Sequence, residues 1–349
     1  MKDVLLDCSE EELKGIFAQL GQPAYRASQV FSALHNNLSF EEMSNLPKAL
    51  RAELSERYFA SPAKIIETLE SADGTKKYLF ALQDGNVVEG VLMRYKYGNT
   101  QCVSTQVGCR MNCAFCASGL HGLVRNLTAG EILGQITAVN AAEGGNIQTR
   151  KVTNVVLMGS GEPLDNYDNV IRFLNNLSAK GGLNVSLRNV SLSTCGLVDR
   201  MERFAEEKLP VNLTISLHSP FDEERKKIMP VAKKYGIKEI LKACERYFSL
   251  TGRRFIFEYV LIAGENDTKR HADALVALLK GKPCHVNLIR LNEVKERDLR
   301  AATDKSAYSF LGLLEKGGLS ATLRRRMGAD IDGACGQLRQ KYIENGESL

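Results

Sequence analysis

Tryptophan is missing from the 349 residues, and histidine occurs only five times. Neither scarcity removes a fold class, but other absences do. No run of about 18 uncharged apolar residues occurs, so no membrane-spanning helix is expected. The opening segment MKDVLLDCSEEELKG lacks a basic stretch followed by an apolar one, so it does not read as a secretory leader. A cytoplasmic protein with no membrane association, working as a monomer, is the expectation. Cysteine numbers nine, which is odd and too few for a disulfide scaffold of this length. Reduced thiols, metal ligands or catalytic groups are expected instead. Hydrophobic residues make up 44% and charged residues 25%, the balance of a packed globular chain rather than a disordered one.

Net charge is +5, compatible with a polyanionic partner without requiring one. Basic residues cluster at Arg225, Lys226, Lys227, Lys233 and Lys234, at Arg253 and Arg254, and at Arg324, Arg325 and Arg326. Solvated helix faces would explain such clusters equally well.

Two patterns divide the chain. Residues 1–95 read as a small accessory domain, helical at first and then stranded. Ser9 and Glu12 form a capping-box pattern ahead of Leu13, Ile16, Phe17 and Leu20 at helical spacing, and further amphipathic stretches run through Tyr25–Leu34 and Leu50–Tyr58. Alternating segments follow at 64–69, 78–82 and 87–93, the last two separated by the hairpin signal Asp84-Gly85. From about residue 100 strands alternate with helices, with strands expected at 102–107, 152–158, 190–193, 211–216, 255–262, 285–289 and 321–325. That alternation implies right-handed βαβ units and a parallel sheet, closed or partly closed. Ligands in such architectures gather at the C-terminal ends of the strands.

Directly after the first of those strands comes Cys109-Arg-Met-Asn-Cys113-Ala-Phe-Cys116. Three thiolates at this spacing can hold three corners of an iron–sulfur cubane and leave the fourth iron without a protein ligand. A structural zinc ion wants four ligands, usually as two pairs, and the chain has no second CxxC or CxxH pair. His121 could complete a zinc site, so a non-catalytic zinc-containing RNA-binding protein is the alternative from a different class. CxxxCxxC is the signature of the radical SAM superfamily, which the segment resembles. That likeness implies a partial (β/α)6 barrel, a 4Fe-4S cluster, and S-adenosylmethionine (SAM) chelated at the open iron and cleaved to a 5′-deoxyadenosyl radical. Phe115 would then lie beside the adenine of SAM. Later strands end in Gly159-Ser-Gly161-Glu162-Pro163, Ser193-Thr-Cys-Gly196, Ser216-Leu-His218 and Asn287–Asn292. Glycines admit a ligand close to the backbone, and Glu162 could accept from an ammonium group. A plain strand-to-helix loop and a hydrogen-bonded structural histidine are the ordinary readings of Gly161 and His218.

The run QCVSTQVGCRMNCAFCASG, followed in order by MGSGEPL, SLSTCG, ISLHSP, NLIRLN and GADIDGACGQL, resembles the RlmN/Cfr family of radical SAM RNA methyltransferases, on the RlmN side through MGSGEPL. The resemblance spans residue 85 to the C-terminus, and the helical N-terminus is also similar. It divides the chain into an N-terminal accessory, RNA-binding domain over 1–95, a radical SAM core over 96–330 and a C-terminal segment over 331–349. It implies methylation of carbon 2 of an adenosine in 23S rRNA and in tRNA, with two SAM molecules per turnover and an electron donor such as flavodoxin or ferredoxin. Cys335 would be the methyl-accepting cysteine, Cys102 its partner in a transient disulfide, and Glu89 the proton acceptor. SAM would be held by Gly161, Glu162, Ser193, Ser216, Leu217, His218 and Asn292. Arg290 stands where many RlmN sequences carry proline and Cfr sequences carry arginine, which keeps methylation of carbon 8 open. A radical SAM enzyme acting on a small molecule or peptide is a further alternative. The remaining cysteines, Cys8, Cys195, Cys244 and Cys284, read as small buried hydrophobes.

Overall fold

A computed structural model describes residues 2–331. The chain opens with β1 (Asp3–Val4), α1 (Glu10–Gln19), α2 (Ala24–His35), α3 (Lys48–Arg57) and β2 (Tyr58–Phe59), which pairs in parallel with β1. The expected capping box forms: Ser9 Oγ accepts from the Glu12 amide, and Glu12 returns a carboxylate to the Ser9 amide. Leu13 and Phe17 of α1 and Val30, Phe31 and Leu34 of α2 are buried, as their spacing required.

An antiparallel meander follows: β3 (Ala63–Glu70), β4 (Lys76–Leu82), β5 (Val87–Tyr95) and β6 (Gly98–Cys102). Next come the short pair β7 (Gln106–Gly108) and β8 (Leu123–Asn126), then α4 (Ala129–Ala142), β9 (Asn154–Leu157), α5 (Tyr167–Leu177), β10 (Val190–Thr194) and α6 (Val198–Glu206). The remaining elements are β11 (Asn212–Ser216), α7 (Asp222–Ile228), α8 (Ile237–Thr251), β12 (Phe255–Leu261), α9 (Lys269–Leu279), β13 (Cys284–Arg290), α10 (Asp304–Lys316) and β14 (Ala321–Leu323).

Ten strands make one sheet in the order β14-β13-β12-β11-β10-β9-β6-β5-β4-β3, parallel from β14 to β6 and antiparallel beyond it. Side chains alternate across it. Phe255, Phe257, Tyr259 and Leu261 of β12 join the core shared with the helices, whereas Glu258 and Val260 face a cavity on the other side. That cavity is lined from β9 through β13 and by Arg324 after β14, so the sheet curls around it as a partial α/β barrel.

One expectation about the first barrel strand is corrected. The strand expected at 102–107 is two strands: β6 ends at Cys102, residues 103–105 turn out of line, and β7 leaves the sheet to pair with β8 alone. The break has a cause in hydrogen bonding, because the amides of both Thr105 and Gln106 donate to Ser160 O, at 2.8 and 3.1 Å. The sheet is also continuous through residue 95, which lies at the β5–β6 hairpin, and a single apolar core runs from the N-terminal helices into the barrel.

Candidate active site

The cysteine motif is the tip of the β7–β8 hairpin. Cys109 N donates to Gly122 O at 2.9 Å, closing the loop at its neck. Gly108, with φ of +78°, sits against Gly122 so tightly that no side chain fits there. Arg110 grips Asp165 through two bonds of 2.7 Å, Ala114 N donates to Ile228 O at 2.8 Å, and Arg297 reaches Asn112 Oδ1 at 2.8 Å. Three separate parts of the chain outside the hairpin thereby hold the loop in place.

Cys109, Cys113 and Cys116 all line the cavity, and none is in a disulfide. Burial pushes the Cys109 thiol up to about 12, with Cys116 adding to the shift. Cys113 is raised as well, first by burial and then by Cys116 and Cys109, with Arg225 opposing. Thiolates so placed are stable only when a metal centre takes up their charge. A tetrahedral zinc site needs four ligands on one ion, whereas a 4Fe-4S cubane takes one thiolate on each of three irons. His121, the fourth ligand a zinc site would need, is exposed and does not line the cavity. The donor set therefore fits the cluster.

The cavity, about 300 Å³, lies at the C-terminal ends of the strands. Gly161, Glu162, Ser193, Ser216, His218 and Asn292 line it, but Leu217 does not. Leu217 is fully buried in the apolar core on the opposite side of the chain, so only its backbone remains available. Gly159 and Gly161 line the cavity and are also closely packed against the neighbouring chain. A Cβ on Gly159 would lie 2.6 Å from Val103 O, and one on Gly161 (φ +105°) 2.6 Å from the Gln106 Cβ. Their bareness lets β9 close against the β6–β7 kink.

Glu162 is buried, and both its oxygens are in use: Oε2 accepts from Cys195 N at 2.7 Å and Oε1 from Leu164 N at 3.0 Å. Burial holds its pKa above the usual carboxylate range, and only the remaining lone pairs can meet an ammonium group. His218 occupies the left-handed region at φ +59°, a conformation that costs about 1–3 kcal/mol and persists where neighbours enforce it. Its Nδ1 accepts from Val260 N at 3.0 Å and its carbonyl accepts from Asn266 Nδ2 at 2.8 Å. Burial lowers its pKa to about 3, so the ring is neutral and carries its proton on Nε2. Phe115 meets His218 edge to face, with ring centroids 4.5 Å apart, and packs beside Val260, Ile262 and Leu291. This apolar wall suits a flat aromatic ring.

Several lining residues escaped the sequence reading. Glu258, buried on β12, accepts from Asn287 Nδ2 at 3.2 Å and lies 3.6 Å from Arg324 Nη1, with its pKa raised by burial. Arg324 is thus drawn into the cavity wall, while Arg325 and Arg326 are exposed. Arg225 is not part of a basic surface, because it is completely buried. Lys226 and Lys234 are each paired to an acid, leaving Lys227 and Lys233 as the exposed remainder of that cluster.

Glu89 and Cys102 lie on adjacent strands but do not line the cavity. Glu89, buried on β5, pairs with the equally buried Lys77 at 3.2 Å. Cys102 is buried among Val91 and Met93, with Val156, Met158 and Met327 packed around it. Met158 also lines the cavity, so one side chain separates Cys102 from it. Cys335 lies outside the described residues. No described helix is long and apolar enough to cross a membrane.

A three-thiol loop, strand-end cavity and partial α/β barrel together define the radical SAM class, and the family model of that superfamily matches residues 103–275. A second family model, the ribosomal RNA large subunit methyltransferase N-terminal domain, matches residues 4–59. The chain is 51% identical over 348 residues to a Clostridium perfringens protein described as "Probable dual-specificity RNA methyltransferase RlmN", covering 99% of each. A protein of the same description from Lachnoclostridium phytofermentans is 49% identical, over 96% of this chain and 93% of the relative. The crystal structure of a radical SAM methyltransferase from Sphaerobacter thermophilus superposes with a TM-score of 0.92 at 41% identity, covering 96% and 98% of the two chains. The chain belongs to the RlmN family of radical SAM RNA methyltransferases. Its cofactors are accordingly a 4Fe-4S cluster and SAM.

Proposed function

We propose that this enzyme methylates carbon 2 of an adenosine in 23S rRNA and in tRNA, with Cys109, Cys113 and Cys116 as cluster ligands. The observation that carries this reading is the convergence of those three thiols with the ends of β9 to β13 on one cavity. Glu162 and the Gly161 backbone would meet the amino group of SAM. Ser193, Ser216, the Leu217 backbone and Asn292 would meet its polar flanks, and Phe115 with His218 its adenine. A bound cluster supplies the electron that opens SAM to a 5′-deoxyadenosyl radical.

The chain's own sulfur supplies the rest. Carbon 2 of adenine is electron-poor and cannot displace a methyl group from sulfonium, whereas a thiolate can. Cys335 would take the methyl of one SAM, lose a hydrogen atom from it to the radical derived from a second, and bond through that carbon to carbon 2. Glu89 would accept the ring proton. The odd electron of the adduct would leave to the bound cluster. Attack of the Cys102 thiolate on the Cys335 sulfur would break the S–CH2 bond as the disulfide forms, and a proton taken up by the released carbon would complete the methyl group. The target nucleotide must leave its stack to reach this depth, at a cost of a few kcal/mol.

The same proposal assigns residues 1–95 to RNA docking, 96–330 to the radical SAM core and 331–349 to presentation of Cys335. A monomer in the cytoplasm, reduced by a flavodoxin or ferredoxin, completes it. Cys102→Ala should accumulate a protein–RNA adduct that Cys335→Ala never forms. Full methylation by Cys335→Ala would overturn the scheme, and 8-methyladenosine in digested RNA would move the target carbon.

A further inference from the structure

Arg225, on α7, is fully buried, and among the described residues its guanidinium donates only to main-chain carbonyls. Nη2 reaches Cys195 O at 2.7 Å and Ser216 O at 3.3 Å, Nε reaches Leu217 O at 3.2 Å, and Nη1 reaches Tyr235 O at 3.4 Å. None of the acids of its own helix bonds to it, and Asp222 acts on it only through space. Asp222 accepts from Ile237 N at 2.9 Å, Glu223 pairs with Lys226 at 2.6 Å, and Glu224 with Arg270 at 2.7 Å and His271 at 2.8 Å. A guanidinium removed from water with no acid bonded to it is unfavourable, so such a group is expected to gain a closer counter-charge when a ligand binds.

The position of Arg225 indicates what that charge is. Two of its acceptors, Cys195 and Ser216, belong to residues lining the cavity. Its helix ends at Ile228, whose carbonyl holds Ala114 between the second and third cysteines of the motif, and the next residue, Met229, also lines the cavity. Three thiolates around a four-iron core carry net negative charge, and more of it after one-electron reduction. A nearby fixed cation favours the reduced form.

We propose that Arg225 is the built-in counter-charge of the cluster. It is a positioning residue that touches neither SAM nor RNA, raises the cluster's reduction potential, and pins the ends of β10 and β11 through its carbonyl bonds. This rests on the three cysteines holding a 4Fe-4S cluster, and that premise is checked first: wild-type protein must show acid-labile sulfide and the EPR signal of a reduced cubane.

The test is an anaerobic, EPR-monitored redox titration, without SAM, of wild type, R225Q and R225K at full iron and sulfide content. R225Q deletes the charge but keeps donors. Its ratio of reduced to oxidised cluster at a given solution potential should fall about tenfold, a midpoint lower by about 59 mV for one electron. R225K keeps the charge but loses most of the carbonyl bonds, and should stay within about threefold of wild type. A fully loaded R225Q with the wild-type midpoint overturns the proposal, because a purely structural clamp predicts that result. Should R225Q fail to load, R225K decides: a wild-type midpoint supports the counter-charge, whereas a tenfold drop, or a folded R225K that takes up no cluster, overturns it.

Discussion

Two buried cations in this enzyme are handled in opposite ways. Lys77, in the antiparallel end of the sheet, lies 3.2 Å from Glu89, and both side chains are essentially inaccessible to solvent. Arg225, at the cavity end, meets only carbonyl oxygens. The first charge is balanced by the chain itself. The second is left for a bound group to balance. A buried charge with an internal partner is stable before any ligand binds, and a buried charge without one marks a site where structure and ligand are completed together.

The comparison can be broken at its first half most forcefully. Lys77→Met strands the Glu89 carboxylate in the core, and loss of one partner of a buried pair costs about 3–5 kcal/mol. Urea denaturation should show that loss, and the double variant Lys77→Met/Glu89→Leu should recover most of it. A single variant as stable as wild type would mean that the pair is not a closed unit.

Gly161→Ala should come next. It forces a side chain into φ +105° and against Gln106, which costs about 1–3 kcal/mol from the backbone alone. It should also weaken SAM binding in equilibrium dialysis, since β9 must withdraw from the β6–β7 kink. Unchanged stability and affinity would contradict the close-packing role given to this glycine.

Two buried histidines extend the same contrast to pH. His35 is held at about 4 by burial, and His218 at about 3 by burial and then by Arg225. A histidine with a depressed folded pKa binds fewer protons than the unfolded chain. The stability it allows is present above about 6.5 and is lost as pH falls towards 3–4. His35→Asn should therefore flatten part of the decline in urea midpoint between pH 7 and pH 5. A decline as steep as wild type would remove His35 from that balance.

The smallest effect is expected at the surface. Arg246 and Glu206 form an ion pair with both side chains about half exposed, and Arg246→Ala should leave the urea midpoint close to that of wild type.

Much of this was legible before the structure. The cysteine spacing, the Ser9–Glu12 capping box and the alternation of strand and helix are local patterns, and they place the parallel strands within a few residues of where they lie. The losses were in what depends on distant partners. Arg225 reads as one more cation in RKK, and only the carbonyls of residues 195, 216, 217 and 235 make it a buried group. Lys77 in KKYLF looks like an exposed strand residue until Glu89 arrives from the next strand. Glu258 is hidden in FEYVLI, where a single acid among apolar neighbours says nothing of Asn287 or Arg324 beside it. The continuity of the sheet across residue 95 depends on β6 pairing with β9, more than fifty residues further along the chain. Glu89, Cys102 and Cys335 were visible through family resemblance alone, since nothing in their spacing distinguishes a proton acceptor or a reactive thiol from core.

The most direct measurement is product analysis of anaerobically purified enzyme, fully loaded with iron and sulfide and supplied with reductant, SAM and RNA. 5′-Deoxyadenosine should accumulate in step with 2-methyladenosine in the digested RNA, and both should vanish in Cys113→Ala. Methylated RNA without any 5′-deoxyadenosine, or neither product from a properly loaded enzyme, would contradict the radical chemistry assigned to the cavity.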